Sequence, residues 1–222
     1  MTEQETSDRL MVLHGLRLKG FAIANAVATT FDLDVDTVIA ELDLCRADGL
    51  VVERNGPRPG WTLTTEGRKA GETLLALELD RHGARASVQQ AYHRFVDMNH
   101  RLLAVFTRWQ VRQTDPVVLN DHRDARYDAG VVADLKQLDA EIGAICGDLT
   151  SALARFGRYR AVLSAALRRV ERGDKDWLTK PTILSYHTII FELHEDLLAT
   201  LGLDRASETA RLNGSAEAQS GR

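Results

Sequence analysis

The chain has 222 residues, 44% hydrophobic and 27% charged, with a net charge of −4. That length and composition leave room for one large domain or two small ones around a sizeable core. They exclude a uniformly basic nucleic-acid coat, though a local positive patch stays open.

The opening MTEQETSDRL has neither the basic nor the apolar region of a secretory signal. No apolar run reaches the length of a membrane span. The two cysteines, Cys45 and Cys146, lack metal-type spacing and fall in helical patterns. Buried free thiols in a reducing cytoplasm are expected, with no membrane partner.

In chain order, a first helix is predicted over Asp8–Leu18, broken at Gly20. The alanine-rich FAIANAVATTF reads as a second short helix. Asp34 is placed to cap a third helix that runs to about Asp48, with Val38, Ile39, Leu42 and Cys45 inward. Gly49 sits where a left-handed residue commonly ends a helix. Val51–Asn55 and Trp61–Thr64 read as paired strands around the loop Gly56-Pro-Arg-Pro-Gly60. Thr65 opens a fourth helix to about Arg81, and His82-Gly83 reads as a domain boundary.

Three helices followed by a hairpin give the order of a winged helix-turn-helix. The stretch GLVVERNGPRPGWTLTTEGR resembles the wing of MarR-like and PadR-like transcriptional regulators, over about the first third of the chain. The resemblance implies double-stranded DNA as partner. It places groove-facing positions at Asp36, Thr37 and Ala40, and the wing's phosphate contact at Arg54 or Arg58. Arg17, Lys19, Arg68 and Lys69 would complete the positive surface.

The third helix departs from that pattern. Asp32, Asp34, Asp36, Glu41, Asp43 and Asp48 face a single Arg46. Residues 1–82 hold nine Lys or Arg against fourteen Asp or Glu, a net of −5. Phosphate neutralisation supplies most non-specific DNA affinity, and acids at a helix start oppose it. A winged fold used for protein docking or sensing is therefore the alternative. LRLKGFA with GWTLTTEGR is also similar to a small helical segment of some pyruvate phosphate dikinase-type enzymes.

Beyond residue 82 the pattern is helical. Helices are predicted over about Ser87–Trp109, Val131–Arg155, Tyr159–Arg172 and Pro181–Leu201. They form an antiparallel bundle, with a polar connection QVRQTDPVVLNDHRDARYDAG and a disordered tail from Ala206. Inward seams run through Val88, Tyr92, Phe95, Asn99, Leu102, Phe106 and Trp109, and through Val131, Leu135, Leu138, Ile142, Ile145 and Leu149. His93, Asp97 and His100 point away from the first of these and read as a solvated face.

On the last helix Ile183, His187, Ile190, His194, Leu197 and Leu201 share a face. His187, His194 and Asn99 are then polar groups in an apolar stripe, and buried polar groups need partners. They close the core by hydrogen bonds, or line a ligand pocket with His122 from the connection. A third option is a metal site completed by His122, Asp121, Asp124 or Asp128. Residues 155–172 carry six arginines against Glu171, which reads as a solvated face or an anion-binding one.

No P-loop, G-x-G-x-x-G, G-x-S-x-G or H-E-x-x-H is present. Glu192 and Asp196 fall opposite the apolar stripe, so no enzyme and no cofactor are expected. The expected protein is mainly α. Residues 1–82 form a winged helix-turn-helix with a two-stranded β wing, and 83–205 a helical bundle for dimerisation and a small effector. The function this implies is a cytoplasmic, homodimeric transcriptional regulator.

Overall fold

The computed structural model describes residues 6–114 and 116–203. The tail expected from Ala206 lies outside them. The described chain is mainly helical, with two small two-stranded antiparallel sheets. No described helix is long and apolar enough to cross a membrane. Two compact units emerge. The first is made of residues up to Arg85 and those from His194 onward, and the second runs from Ala86 to Leu193.

In the first unit α1 (Asp8–Lys19), α2 (Ala24–Phe31) and α3 (Val35–Ala47) precede a hairpin of β1 (Val51–Arg54) and β2 (Gly60–Leu63), then α4 (Thr65–Arg81). Val12, Leu13, Leu16, Val27, Val38, Leu42, Cys45 and Val51 close its core. Asp34 caps α3 as expected: its Oδ1 accepts from the backbone N–H of Asp36 at 2.9 Å and of Thr37 at 3.1 Å. Gly49 takes the left-handed conformation at φ 73°.

Two readings of this unit change. Phe21–Ile23 is not the start of the second helix. Ala22 exchanges both backbone hydrogen bonds with Trp61, at 3.1 and 2.7 Å, and this short bridge holds the segment extended against β2. Ile39 does not face inward but stays 44% exposed. The buried set is Val38, Leu42 and Cys45, the narrower i, i+4, i+7 stripe.

Gly67 has a steric role in α4. A Cβ there would lie 1.9 Å from the backbone oxygen of Leu50, at the junction of α3 and β1. Backbone cannot swing aside as a side chain does. Gly67→Ala is therefore expected to destabilise this unit by about 3 kcal/mol, the upper end of ordinary overpacking. A urea midpoint equal to that of the parent would show that the approach is not needed.

The second unit holds α5 (Arg85–Gln110), a hairpin of β3 (Val111–Arg112) and β4 (Val118–Leu119), α6 (Ala125–Ala152) and a 3-10 turn (Ala154–Phe156). After these come α7 (Gly157–Glu171), α8 (Asp176–Thr179) and the first half of α9 (Tyr186–Leu201). Arg94–Asp148, Arg101–Glu141 and Arg108–Asp134 pair α5 with α6 at successive seven-residue steps. Rising numbers on one helix meet falling numbers on the other, so the two run antiparallel. Arg101 is bidentate, both bonds 2.8 Å.

The expected seams of α5 and α6 are buried, except that Asn99 is only half-buried. His93, Asp97 and His100 are exposed or nearly so. Two helix starts differ from expectation. Helix α6 begins at Ala125 rather than near Val131, because the Asp124 carboxylate accepts from the N–H of Tyr127 at 3.0 Å and caps it. The polar connection before it is not structureless, since it contains the β3–β4 hairpin. Helix α9 begins at Tyr186, not Pro181: Pro181–Leu184 form turns, and the Ser185 hydroxyl accepts from the N–H of Thr188 at 3.3 Å.

Candidate functional site

Two surfaces carry the residues singled out from the sequence. The first lies on the N-terminal unit. Asp36 and Ala40 are exposed on α3, and Thr37 is half-buried with its backbone N–H held by Asp34. Asp32, Asp34, Asp43 and Asp48 are exposed as well. Arg46 is drawn into this acidic surface, pairing with Asp43 at 2.9 Å and Glu53 at 2.7 Å. Arg9 pairs with Asp48 in the same way. Exposed Ile39 and Leu44 lie between the acids.

The remaining cations differ from one another. Arg17 is half-buried and bonded to Glu72 at 2.5 Å, and Lys19 is half-buried. Arg54 and Arg58 are exposed on the β1–β2 hairpin, and Arg68 and Lys69 on the first turns of α4. None of these four forms an ion pair with a described residue. With Arg81, also exposed at the end of α4, they are available to an external anion.

The two histidines of α9 fall in different units. His187 falls in the second unit, half-buried, edge-on to Phe106 with ring centroids 4.7 Å apart. Burial pushes its pKa down from the usual imidazole value. His194 falls in the first unit, also half-buried. No group of three or more His, Cys, Asp or Glu among the described residues is arranged to hold a metal ion.

The inward face of α9 is rotated from the expected one. Tyr186, Ile189, Leu193, Leu197 and Thr200 line it, together with Glu192 and Asp196, which had been placed opposite. The two acids are buried because each has a partner. Arg158 bonds Glu192 within the second unit. Within the first, His14 Nε2 lies 2.9 Å from Asp196 Oδ1, both side chains at 0% exposure, and the Thr200 hydroxyl donates to the same oxygen at 3.1 Å. Leu184 and Phe191 are exposed.

The arginine run of residues 155–172 divides: Arg155, Arg158 and Arg160 are drawn into the fold, while Arg168, Arg169 and Arg172 keep the solvated face expected of the run. Arg160 bonds the Asp139 carboxylate at 2.8 Å, Arg169 meets Asp174 at 3.3 Å, and Arg155 is buried over Phe156. Arg168 and Arg172 are exposed. Asp139 also accepts from the buried Tyr186 hydroxyl at 2.9 Å. Burial and the adjacent carboxylate push the Tyr186 pKa upward, so the phenol stays protonated. Burial also drives the nearby Cys146 thiol up to about 11, which makes it an inert thiol.

The second surface is built on the segment after β4. Trp109, Asn120, His122 and Asp128 converge there, with Lys175 from the α7–α8 turn. The His122 ring lies against the Trp109 indole, centroids 4.4 Å apart. Its backbone is left-handed, φ 58°, a conformation few side chains adopt. Asn120 Nδ2 reaches Trp109 O at 3.1 Å and Asp128 Oδ1 at 3.0 Å. His122 Nδ1 lies 3.1 Å from both Asp128 oxygens. Lys175 Nζ donates to the His122 carbonyl at 2.8 Å and stands 3.5 Å from Asp128 Oδ2.

Burial alone would raise the Asp128 pKa, but hydrogen bonds from Asn120 and His122, with the charge of Lys175, bring it below the ordinary value. From the sequence His122 was a ligand candidate and Asp128 a metal-ligand candidate. Asn120 and Lys175 were not singled out, and Trp109 was read only as part of the inward seam. NDHRDARYD offered a signal in its Asn-x-His spacing, but its charge density masked it as a solvated loop.

No family model matches the chain, and no curated protein or solved structure is significantly similar to it.

Proposed function

We propose that the N-terminal unit is a winged helix-turn-helix and that the protein is a DNA-binding transcriptional regulator. It acts as a cytoplasmic homodimer whose helical unit supplies dimer contacts and holds a small effector. One observation carries the reading. Arg54 and Arg58 stand exposed on the hairpin without an ion pair, whereas Arg17 and Arg46 are neutralised by acids. The order α1–α2–α3–β1–β2–α4 supports it.

The acidic face of α3 shapes the mechanism. Aspartates accept from few base edges and repel phosphate. Affinity on this reading comes from phosphate contacts by the hairpin arginines, with Arg68 and Lys69 on α4. Such contacts position a protein without reading sequence. Selectivity then depends on duplex shape or on the spacing of two units in a dimer.

The test is a salt-titrated anisotropy assay on a duplex from the region upstream of the coding sequence. The parent should lose affinity steeply with salt. Arg54→Ala, Arg58→Ala should bind more weakly and flatten the log–log salt slope by about 2, one per lost phosphate contact. Binding that ignores both salt and the double substitution would remove the DNA reading. The second reading, a docking module for another protein, is favoured by exposed Ile39 and Leu44 among the α3 acids. It predicts no duplex binding even at low salt.

A further inference from the structure

The polar cluster after β4 has a determinate hydrogen-bond direction. The Asn120 carbonyl Oδ1 accepts from the His122 backbone N–H at 3.3 Å, which turns the amide nitrogen toward Trp109 O and Asp128. Its two protons are satisfied by those two acceptors. The 3.1 Å approach of Nδ2 to His122 Nδ1 is then a proximity, not a bond. With both oxygens of the Asp128 carboxylate 3.1 Å away, Nδ1 is left as the donor. In a neutral imidazole the other nitrogen is then an acceptor. Nε2 makes no hydrogen bond to a described residue, and the His122 side chain is 24% exposed.

The cluster also holds a cation, bonded to the backbone of the same histidine. Lys175 is 47% exposed, and one of its three ammonium protons is bound to the His122 carbonyl. It stands 3.5 Å from Asp128 Oδ2 without a hydrogen bond to it, which leaves ammonium protons for an external acceptor. We propose that this cluster is a binding site for a small hydroxycarboxylate. The ligand's hydroxyl donates to His122 Nε2, and its carboxylate meets Lys175. Asp128 and Asn120 are positioning residues that hold the imidazole in its Nδ1–H form, and Trp109 fixes the plane of the ring. The site lies wholly in the second unit and does not depend on whether the first binds DNA.

Nitrogen-15 NMR of the histidine rings in the full chain, titrated with glycolate, tests the site. Acetate lacks the hydroxyl and methyl glycolate lacks the charge. The free protein should show His122 as the Nδ1–H tautomer. Glycolate should shift its Nε2 signal saturably, and each control should bind at least about tenfold more weakly. Lys175→Met, on an exposed side chain, should erase the preference for glycolate over methyl glycolate, with a circular dichroism melt confirming the fold. An Nε2–H tautomer would overturn the proposal. So would equal binding of the three compounds, no saturable shift up to about 10 mM glycolate, or an unchanged preference in the Lys175 variant.

Discussion

Asp139→Ala should lower the stability of the helical unit by about 3 kcal/mol, the low end for breaking a buried charged network. Asp139 is 8% exposed at its side chain and serves two donors. Tyr186 OH lies 2.9 Å from one carboxylate oxygen, and Arg160 Nη2 lies 2.8 Å from the other. The two donors would not suffer equally. Arg160 is 42% exposed, so its guanidinium would regain water, and its second bond, to the Asp139 backbone carbonyl at 3.2 Å, would survive the truncation. Tyr186 is at 0% exposure, so its hydroxyl would be stranded. Asp139→Asn keeps an acceptor for the phenol and should cost about half as much. Urea unfolding followed by far-UV circular dichroism checks both. Equal midpoints for alanine and asparagine would mean that the phenol's hydrogen bond contributes nothing.

The same network explains what was legible in the sequence. Where local chemistry decides, single residues sufficed: Asp34 capping α3 and Gly49 ending it need only their neighbours. The α5 and α6 seams were legible because leucine, isoleucine and phenylalanine repeat there with charged residues between them. Even the ion-pair ladder followed a seven-residue step through Arg94, Arg101 and Arg108. Its partners, however, lie on a separate helix and could not be assigned in advance.

Where polar groups are buried, periodicity misled. Helix α9 has apolar residues on nearly every side, and the stripe through Ile183, His187, Ile190 and Leu197 leaves Glu192 and Asp196 opposite. Burial of an acid is decided by a partner far along the chain: Arg158 for Glu192 and His14 for Asp196. Arg155, Arg158 and Arg160 were misjudged for the same reason. In the candidate ligand site, His122 was visible as a residue type. Its role depends on Asn120 orienting an amide and on Lys175 arriving from 53 positions away. Neither has a period or a motif.

Asp196→Ala should destabilise the first unit by about 3–5 kcal/mol, the largest single effect expected outside the helical unit. Both members of the pair are at 0% side-chain exposure, 2.9 Å apart. Neither can recover water as Arg160 can, so truncating one leaves the other buried among apolar walls, near Phe31 in the case of His14. The Thr200 hydroxyl would lose its acceptor too. The loss should fall on α1 and the last turns of α9 together. Hydrogen exchange should speed up at Val12–Leu16 and at Leu197–Thr200, while the α5–α6 seam keeps its protection. A second variant separates pair strength from cavity cost. If polar pairing rather than volume sets the penalty, His14→Leu, Asp196→Leu should be much closer to the parent than Asp196→Leu alone, because neither member of the pair is left buried without the other. A double variant as unstable as the sum of its two singles would mean that the histidine and the aspartate contribute independently, through packing.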